Sequence, residues 1–499
     1  MRFLFKGVKT VSENHTTSEE VRQEDRKQQM VRKDMFGRRM IFTSESAITS
    51  VNVAGVVEQA YTTHLLNRSE IEYLWNYYKG KQPSLYRTRE LRDELTKRIV
   101  ENRANEIVSF KTGFLVGKPV QYISSKDGDN TSEDISKLND AMRVVGKATK
   151  DKALVEWCMI CGQGYRYVAQ NKDRFVRSPF NIYTLDPRNT FVIRANDYSQ
   201  RVLAGVNYVE DQNGQVTFTV YTDDSVYTLI KGSNRAKKTV NAFGTIPIIE
   251  YPANNARLGS FEIVLSLLDA INDFDCARNE AVEQFVQSLL VLYNCQVEEG
   301  TTADTIRQAG MILLKSMNGE KADVKNLSEQ LDQSQNQTLK SDMYNTVLQI
   351  VGMPSQSDGN TSDSSNNGAV VLRNGWQGAE TRAEDFEAMF KLPETEMLQV
   401  VSVICDGLAD FAFDPSDVDI KFTRHSYDNL LSKSQTLTTM LASDKIHPRC
   451  AYEASGLFTD TEEAYQMGIK WFEQIQREQQ RQAEMQMKQN TEKVNADEE

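Results

Sequence analysis

Residues 112–120 read TGFLVGKPV, and the fold turns on whether this is a phosphate-binding loop or the end of a helix. A loop of the G-x-x-x-x-G-K-[ST] kind needs four residues between its glycines, so that successive N–H groups wrap the phosphates, and a hydroxyl after the lysine to reach Mg²⁺. Here three residues separate Gly113 from Gly117, and Pro119 follows Lys118. Proline offers neither a hydroxyl nor an N–H, and it drives the preceding residue away from helical angles. The segment upstream, RELRDELTKRIVENRANEIVSFKTG, places Leu91, Leu95, Ile99, Ile107 and Phe110 near helical spacing, which predicts an amphipathic helix with Gly113 at its C-cap. The reading is helix, cap, short turn and then the strand PVQYI, with a nucleotide-binding enzyme using Gly117-Lys118 as the alternative.

Outward from this point the periodicity changes twice. Residues 69–111 read as helical, including EIEYLWNYYKGKQP, and from Gly164 the runs GYRYVAQ, TFVIRA, RVLAGVNYVE, QVTFTVYT and SVYTLI have strand character. Asn213-Gly214 between two of them is a hairpin signal, so an antiparallel meander in a mixed α+β domain is expected. After YPANN the pattern becomes helical, with Ser260 as N-cap, Glu262 in the first turn, and Val264, Leu267, Leu268, Ile271, Phe274, Val282, Phe285, Val286 and Leu289 on one stripe. Continued to Leu292 this is a rod about 50 Å long. A small insert and a second helix from about Leu327 to Val351 complete a projecting pair. Residues 355–367, SQSDGNTSDSSNN, carry no apolar side chain, as functional or disordered loops do. The next helix, AVVLRNGWQGAETRAEDFEAMFKL, is expected to kink or restart at Pro393, DIKFTRH reads as a last strand, and the rest is helical with a Gln-rich end.

With 499 residues the chain has room for several cored domains. Its six scattered cysteines and the short apolar run of MRFLFK lead to the expectation of a reducing, cytosolic compartment and no signal peptide. No apolar stretch reaches the roughly 18 residues of a membrane span. Residues 1–45 mix Arg, Lys, Glu and Gln with little periodicity and read as an arm that is loose or ordered by partners. The net charge of −12 argues against a surface that grips nucleic acid by neutralising phosphates. Between 260 and 350 there are fourteen acidic and six basic residues, so this section carries most of the excess. Such a run is ordinarily a solvated face, but it also suits helices packed around an anionic lumen.

Catalytic chemistry finds little to build on. The four histidines, 15, 64, 425 and 447, lie far apart, and Cys158 with Cys161 makes a single C-x-x-C pair, better read as buried helical thiols than as half a zinc site. Asp273 and Asp275, two apart, point to different helix faces and read as separate surface charges. No catalytic residue, metal ligand or cofactor site is assigned.

An ordered set of segments resembles the portal proteins, or head-to-tail connectors, of long-tailed double-stranded DNA bacteriophages. These are YYKGKQP (77–83), NRANEIVSFKTGFLVGKPVQY (102–122), LDPRNTFVI (185–193), FGTIPIIEYPANN (243–255), VGMPSQSDGNTSDSSNNGAVVLR (351–373) and IKFTRHSYDN (420–429), within a similarity running from about 69 to 475. The resemblance implies an α+β phage portal fold: a mixed α/β wing (46–258 and 370–425), stem helices (259–292 and 327–352), a small clip (293–326), a polar tunnel loop (353–369) and a helical crown with C-terminal tail (426–499). It also implies a homo-oligomeric ring of roughly twelve subunits, with no cofactor, no enzymatic activity and no membrane partner. Implied partners are the terminase motor, major capsid and scaffold proteins, a head-completion or tail adaptor, and the DNA passing through. Channel-lining stem residues would be Asp269, Asp273, Glu280 and Glu283, and the docking charges of the clip Arg307, Lys315, Lys321 and Lys325. The DNA-facing tunnel loop would present Ser355, Gln356, Ser357, Asp358, Asn360, Thr361, Ser362, Asp363, Ser364, Ser365, Asn366 and Asn367. A capsid or scaffold protein without a channel is the alternative. On this resemblance TGFLVGKPV is a helix-to-strand turn of the wing, and its Gly-Lys is incidental.

Overall fold

The computed structural model describes residues 31–32, 35, 37–87, 96–125, 129–171, 178–286, 290–293, 295–296, 315–316, 323–326, 333–355, 375–409, 411–424, 430–458 and 461–496. The chain divides into two compact units, one made of Met1–Phe36, Ser69–Ile107 and Ser260–Val351, the other of Gly37–Arg68, Val108–Gly259 and Gly352–Glu499. We call these the first and second units.

In chain order, β1 (Phe42–Thr43) precedes α1 (Val53–Tyr78), whose Ser69–Tyr78 part belongs to the first unit. A 3₁₀ turn, Pro83–Tyr86, leads to α2 (Arg103–Val116), which begins later and ends later than its periodicity predicts. Residues 96–102 are not helical, and the helix runs through Gly113 to stop at Gly117. There a Cβ would lie 2.2 Å from the Gly113 carbonyl oxygen, so only glycine fits where the chain leaves the helix. The strand beyond is β2 (Gln121–Ser124), followed by α3 (Asp129–Val144) and α4 (Lys147–Cys161). Cys158 and Cys161 are buried on α4, as expected of structural thiols.

The β-rich stretch forms two sheets in place of one. β3 (Gln163–Gln170) and β4 (Phe180–Leu185) pair with each other, while β5 (Thr190–Ala195), β6 (Val202–Glu210), β7 (Val216–Tyr221), β8 (Ser225–Ile230) and β9 (Ala236–Val240) make the expected meander. β10 (Ile248–Pro252) returns to β3, giving sheets ordered β1-β5-β6-β7-β8-β9 and β10-β3-β4. The β6–β7 hairpin is built by its turn chemistry: Gly214 has φ +77°, and the Asp211 carboxylate accepts from Asn213 N and Gln215 N. The first part of α1 covers the larger sheet, with Val53, Val57, Ala60 and Tyr61 packed on Phe191, Val206, Tyr208, Phe218 and Val220.

In the first unit, a 3₁₀ turn (Glu262–Val264) opens α5 (Leu265–Val286). Ser260 does not cap it; the N-cap position is Phe261, without a side-chain cap. The rod is 22 residues, about 33 Å, and shorter than its apolar stripe predicts. β11 (Leu290–Tyr293) takes the β-type run LVLY and pairs antiparallel with β14 (Asp323–Asn326), while β12 (Cys295–Gln296) pairs with β13 (Lys315–Ser316). α6 (Gln333–Val351) packs on α5.

Back in the second unit, α7 (Trp376–Leu408) is continuous through Pro393. β15 (Val418–Lys421) is the expected last strand and pairs antiparallel with β2. α8 (Leu430–Leu441), α9 (Pro448–Ser455) and α10 (Thr461–Ala496) follow, with Gly468 of α10 close against the Tyr452 hydroxyl of α9.

Candidate functional site

In the first unit the organising feature is α5 and the extended strip 96–102 laid along it. Three alternate backbone N–H groups of the strip donate to α5 side chains: Lys97 N to Glu280 Oε1 at 2.9 Å, Ile99 N to Cys276 Sγ at 3.3 Å and Glu101 N to Asn272 Oδ1 at 2.8 Å. The match is geometric. Two residues of extended chain advance about 6.6 Å and four residues of helix about 6.0 Å, so an every-second donor meets an every-fourth acceptor. Helical period alone could not reveal this, because the acceptors lie more than 170 residues away.

The structure places three of the four stem carboxylates named from the sequence. Glu280 is 1% exposed, bound to the strip. Asp269 is paired with Arg32 and accepts from Tyr77 Oη at 2.8 Å. Burial pushes its carboxyl up, and Arg32 and the Tyr77 hydroxyl only partly offset that. Asp273, whose side chain is 55% exposed, touches Ser84 Oγ at 3.3 Å and Arg87 at 3.8 Å. The side chain of Glu283 lies outside the described residues. Asp275 corrects the expectation of a surface charge: it is buried and takes a 2.9 Å bond from Lys340 of α6, which also holds Glu101. α5 thus spends most of its described carboxylates inside the protomer. Its exposed stripe, Ser266, Ala270, Asp273 and Ala277, carries one of them. On α6 the exposed Gln335, Thr338, Asp342, Asn345 and Gln349 are polar with one carboxylate, and Leu339 and Ile350 are exposed beside them.

Of the clip residues, Lys315 falls on β13 and Lys325 on β14, while Arg307, Lys321 and the side chains of all four lie outside the described residues. So do 356–367 of the polar loop. The flanks of that loop adjoin, since a Cβ on Gly375 would lie 3.9 Å from Pro354 Cα.

The second unit holds a group that sequence reading missed. Glu394 of α7 is buried and accepts from Tyr122 Oη of β2 at 2.6 Å and Tyr251 Oη of β10 at 2.7 Å. Lys147 of α4 lies 2.9 Å from one of its oxygens and Arg166 of β3 3.0 Å from the other. Asp151, one turn beyond Lys147, joins both cations. Burial pushes the Glu394 carboxyl up, but Lys147, Arg166 and the Tyr122 hydroxyl prevail and hold it at about 2. With two cations, two carboxylates and two phenols the group is electrically closed, so it clamps α7 to α4, to β2 and to the three-stranded sheet and offers nothing to a substrate. Among the described residues no group of three or more His, Cys, Asp or Glu is placed to hold a metal ion, and no helix is long and apolar enough to cross a membrane.

Residues 58–485 match the family model for phage portal proteins of the SPP1 Gp6-like kind. The chain belongs to that family. The match spans residues from both units, and it makes this portal-family chain a structural component of a phage-type virion. Among solved structures it is similar to a chain from the neck of an empty GTA particle (11% identity, covering 71% of this chain and 90% of that one, TM-score 0.42). It is also similar to one from the virion of a native gene transfer agent particle (11% identity, 78% and 94%, TM-score 0.42). No curated protein matches the chain.

Proposed function

We propose that the chain assembles into a ring around a central channel at one capsid vertex, through which double-stranded DNA is packaged, retained and ejected, and that the ring joins head to tail. The observation that carries this reading is the family match over residues 58–485, which includes the paired helices, the small strands between them and the polar loop after them. In this proposal α5 and α6 form the stem, β11–β14 belong to a clip that receives the terminase motor and the tail-side adaptor, and α8–α10 form the crown. Capsid and scaffold proteins meet the remainder.

The exposed helix faces support such a channel in a way that differs from a wall of acid. A polyanion slides past a surface that gives it few cations to hold and only weak, exchangeable hydrogen bonds in their place. The exposed residues of α5 and α6, which are small, uncharged polar or apolar (Leu339 and Ile350) apart from isolated Asp273 and Asp342, give it few cations to hold. Asp273 is then the stem carboxylate that DNA meets, whereas Asp269 and Glu280 hold the protomer together. The adjoining flanks Pro354 and Gly375 suit a loop that leaves and returns at one place, as a tunnel loop does.

The function is non-enzymatic, the motor's ATP turnover residing in a separate protein. Negative-stain images of the purified chain test the core of the proposal: rings with a central hole are expected. Monomers or closed shells would overturn it, and ATP hydrolysis by the chain alone would reopen the enzyme reading.

A further inference from the structure

The larger sheet of the second unit ends at β9, and the outer side of β9 pairs with no strand among the described residues. Its inner side is in unbroken antiparallel register with β8, from Ser225↔Val240 to Leu229↔Ala236. A paired strand uses only alternate N–H and C=O groups on each side, so β9 presents an outer row of unmet donors and acceptors over about 16 Å. Sheets usually blunt such an edge with charged side chains, lysine above all, or with proline, a bulge or a covering loop. β9 has no proline and no bulge, and Lys237, Lys238, Thr239 and Val240 are all exposed.

Its charge is out of keeping with the rest of the molecule. Residues 231–241, KGSNRAKKTVN, hold Lys231, Arg235, Lys237 and Lys238 with no acidic residue, on a chain of net charge −12. Lys231 lies over the Tyr61 ring at 5.1 Å, and Lys238 lies over the Tyr227 ring at 5.8 Å and 4.0 Å from Asp224. Arg235 and Lys237 pair with no carboxylate among the described residues. The strand also has two distinct faces. Ala236, Lys238 and Val240 share the face of the buried Tyr227 and Leu229, so the 83% exposed Val240 continues the apolar side beyond its cover. Lys237 and Thr239 occupy the other face.

We propose that β9 is a docking edge for an acidic segment of another polypeptide, which adds to the sheet as a further strand. The segment this edge fits is extended, about five residues long, with carboxylates opposite Lys237 and Lys238 and an apolar side chain opposite Val240. A second copy of β9 does not fit, because edge-to-edge pairing sets lysine against lysine. Nucleic acid would use the cations but leave the backbone row and Val240 unused.

The test is fluorescence anisotropy of the full chain with a labelled peptide of about seven residues, in which two consecutive glutamates can stand opposite Lys237 and Lys238 while a valine stands opposite Val240. Binding is expected, and it should weaken by about tenfold or more for the double variant Lys237→Glu, Lys238→Glu. The same loss is expected when alternate amides of the peptide are N-methylated, since that blocks strand addition without altering charge. Both substitutions are at exposed positions, and unchanged far-UV circular dichroism confirms that the sheet persists. Equal binding of the N-methylated peptide would overturn strand addition, and indifference to charge reversal would overturn the acidic partner. No binding of the peptide leaves the lysines as guards against aggregation, and tighter competition by a short DNA duplex makes the edge a nucleic-acid contact; either result overturns the proposal.

Discussion

Glu394 in the second unit and Asp269 on α5 in the first are both carboxylates taken largely out of water, and their surroundings treat the charge differently. Glu394 has Lys147 and Arg166 on its two oxygens and two tyrosine hydroxyls besides, and its carboxyl is held low in spite of burial. Asp269 has one cation, Arg32, and one hydroxyl, with Asp273 a turn away adding repulsion, and burial leaves its carboxyl raised. Number of partners, more than depth, separates the two. A carboxylate with two cations is a fastener that stays ionised. One with a single cation is a weaker tie, and here burial outweighs that cation, so the fold disfavours the charge.

The most damaging way to break the comparison is Glu394→Leu. It strands Lys147 and Arg166 with Asp151 alone, and removing one partner from a buried ionic group costs about 3–5 kcal/mol. Urea denaturation of the purified chain should show a loss of that order, while Asp269→Leu should cost clearly less. Equal losses would mean that partner number does not matter here.

Acid sharpens the same contrast, with the sign differing between the two. The Glu394 carboxyl is depressed from 4.5 to about 2, so its contribution is present above about pH 4.5 and is lost as pH falls toward about 2. The Asp269 carboxyl is raised, so its proton is held more tightly folded than unfolded, and its contribution declines as pH rises through the folded value. Denaturation midpoints measured between pH 5 and 2 should therefore fall less steeply for Glu394→Gln than for the unsubstituted chain. Asp269→Asn should keep the fall or steepen it. A flatter curve for Asp269→Asn would contradict the assignment.

How much of this was legible in the sequence depends on how local the cause is. The Asn213-Gly214 hairpin was readable because Asp211 and Gly214 build the turn within five residues. The strand at 418–421 and the buried Cys158 and Cys161 were readable from pattern. The strip 96–102 was not: Leu95 and Ile99 keep helical spacing, but Asn272, Cys276 and Glu280 supply acceptors from far along the chain and the backbone follows them. Glu394 escaped notice for the same reason, since its partners come from residues 122, 147, 166 and 251, and no window of sequence contains them. Pro393 was expected to kink or restart the helix. α7 passes through it with Glu394, the residue after it, anchored on four sides.

A milder break is Asn272→Ala. It removes the acceptor of Glu101 N and the donor to buried Gln82, leaving polar groups unmet, for a cost of about 1–3 kcal/mol. Hydrogen exchange should report the loss at Glu101 first, and unchanged protection there would show that the strip does not depend on α5.

The smallest effect on stability, and the most informative about function, is expected from Asp273→Lys. Asp273 is half exposed, and its contacts with Ser84 and Arg87 are those of a surface pair, worth about 0–1 kcal/mol. Folding and ring formation should therefore be nearly unchanged. Charge reversal at the same site in every subunit of a ring would nonetheless put a circle of cations where the proposed channel offers isolated carboxylates, and DNA would linger on it. The Debye length shrinks from ~30 Å at ~0.01 M salt to ~10 Å at ~0.1 M, so the hindrance should be strongest in dilute buffer and relax as salt is added. Glu280→Lys must behave otherwise: Glu280 is buried on the strip, so its reversal should impair folding at every salt concentration. Packaging or ejection rates measured for both variants across that range separate the roles. A salt-independent Asp273→Lys, or a Glu280→Lys that folds normally and slows DNA only in dilute buffer, would reverse the assignment of which stem carboxylate meets the DNA.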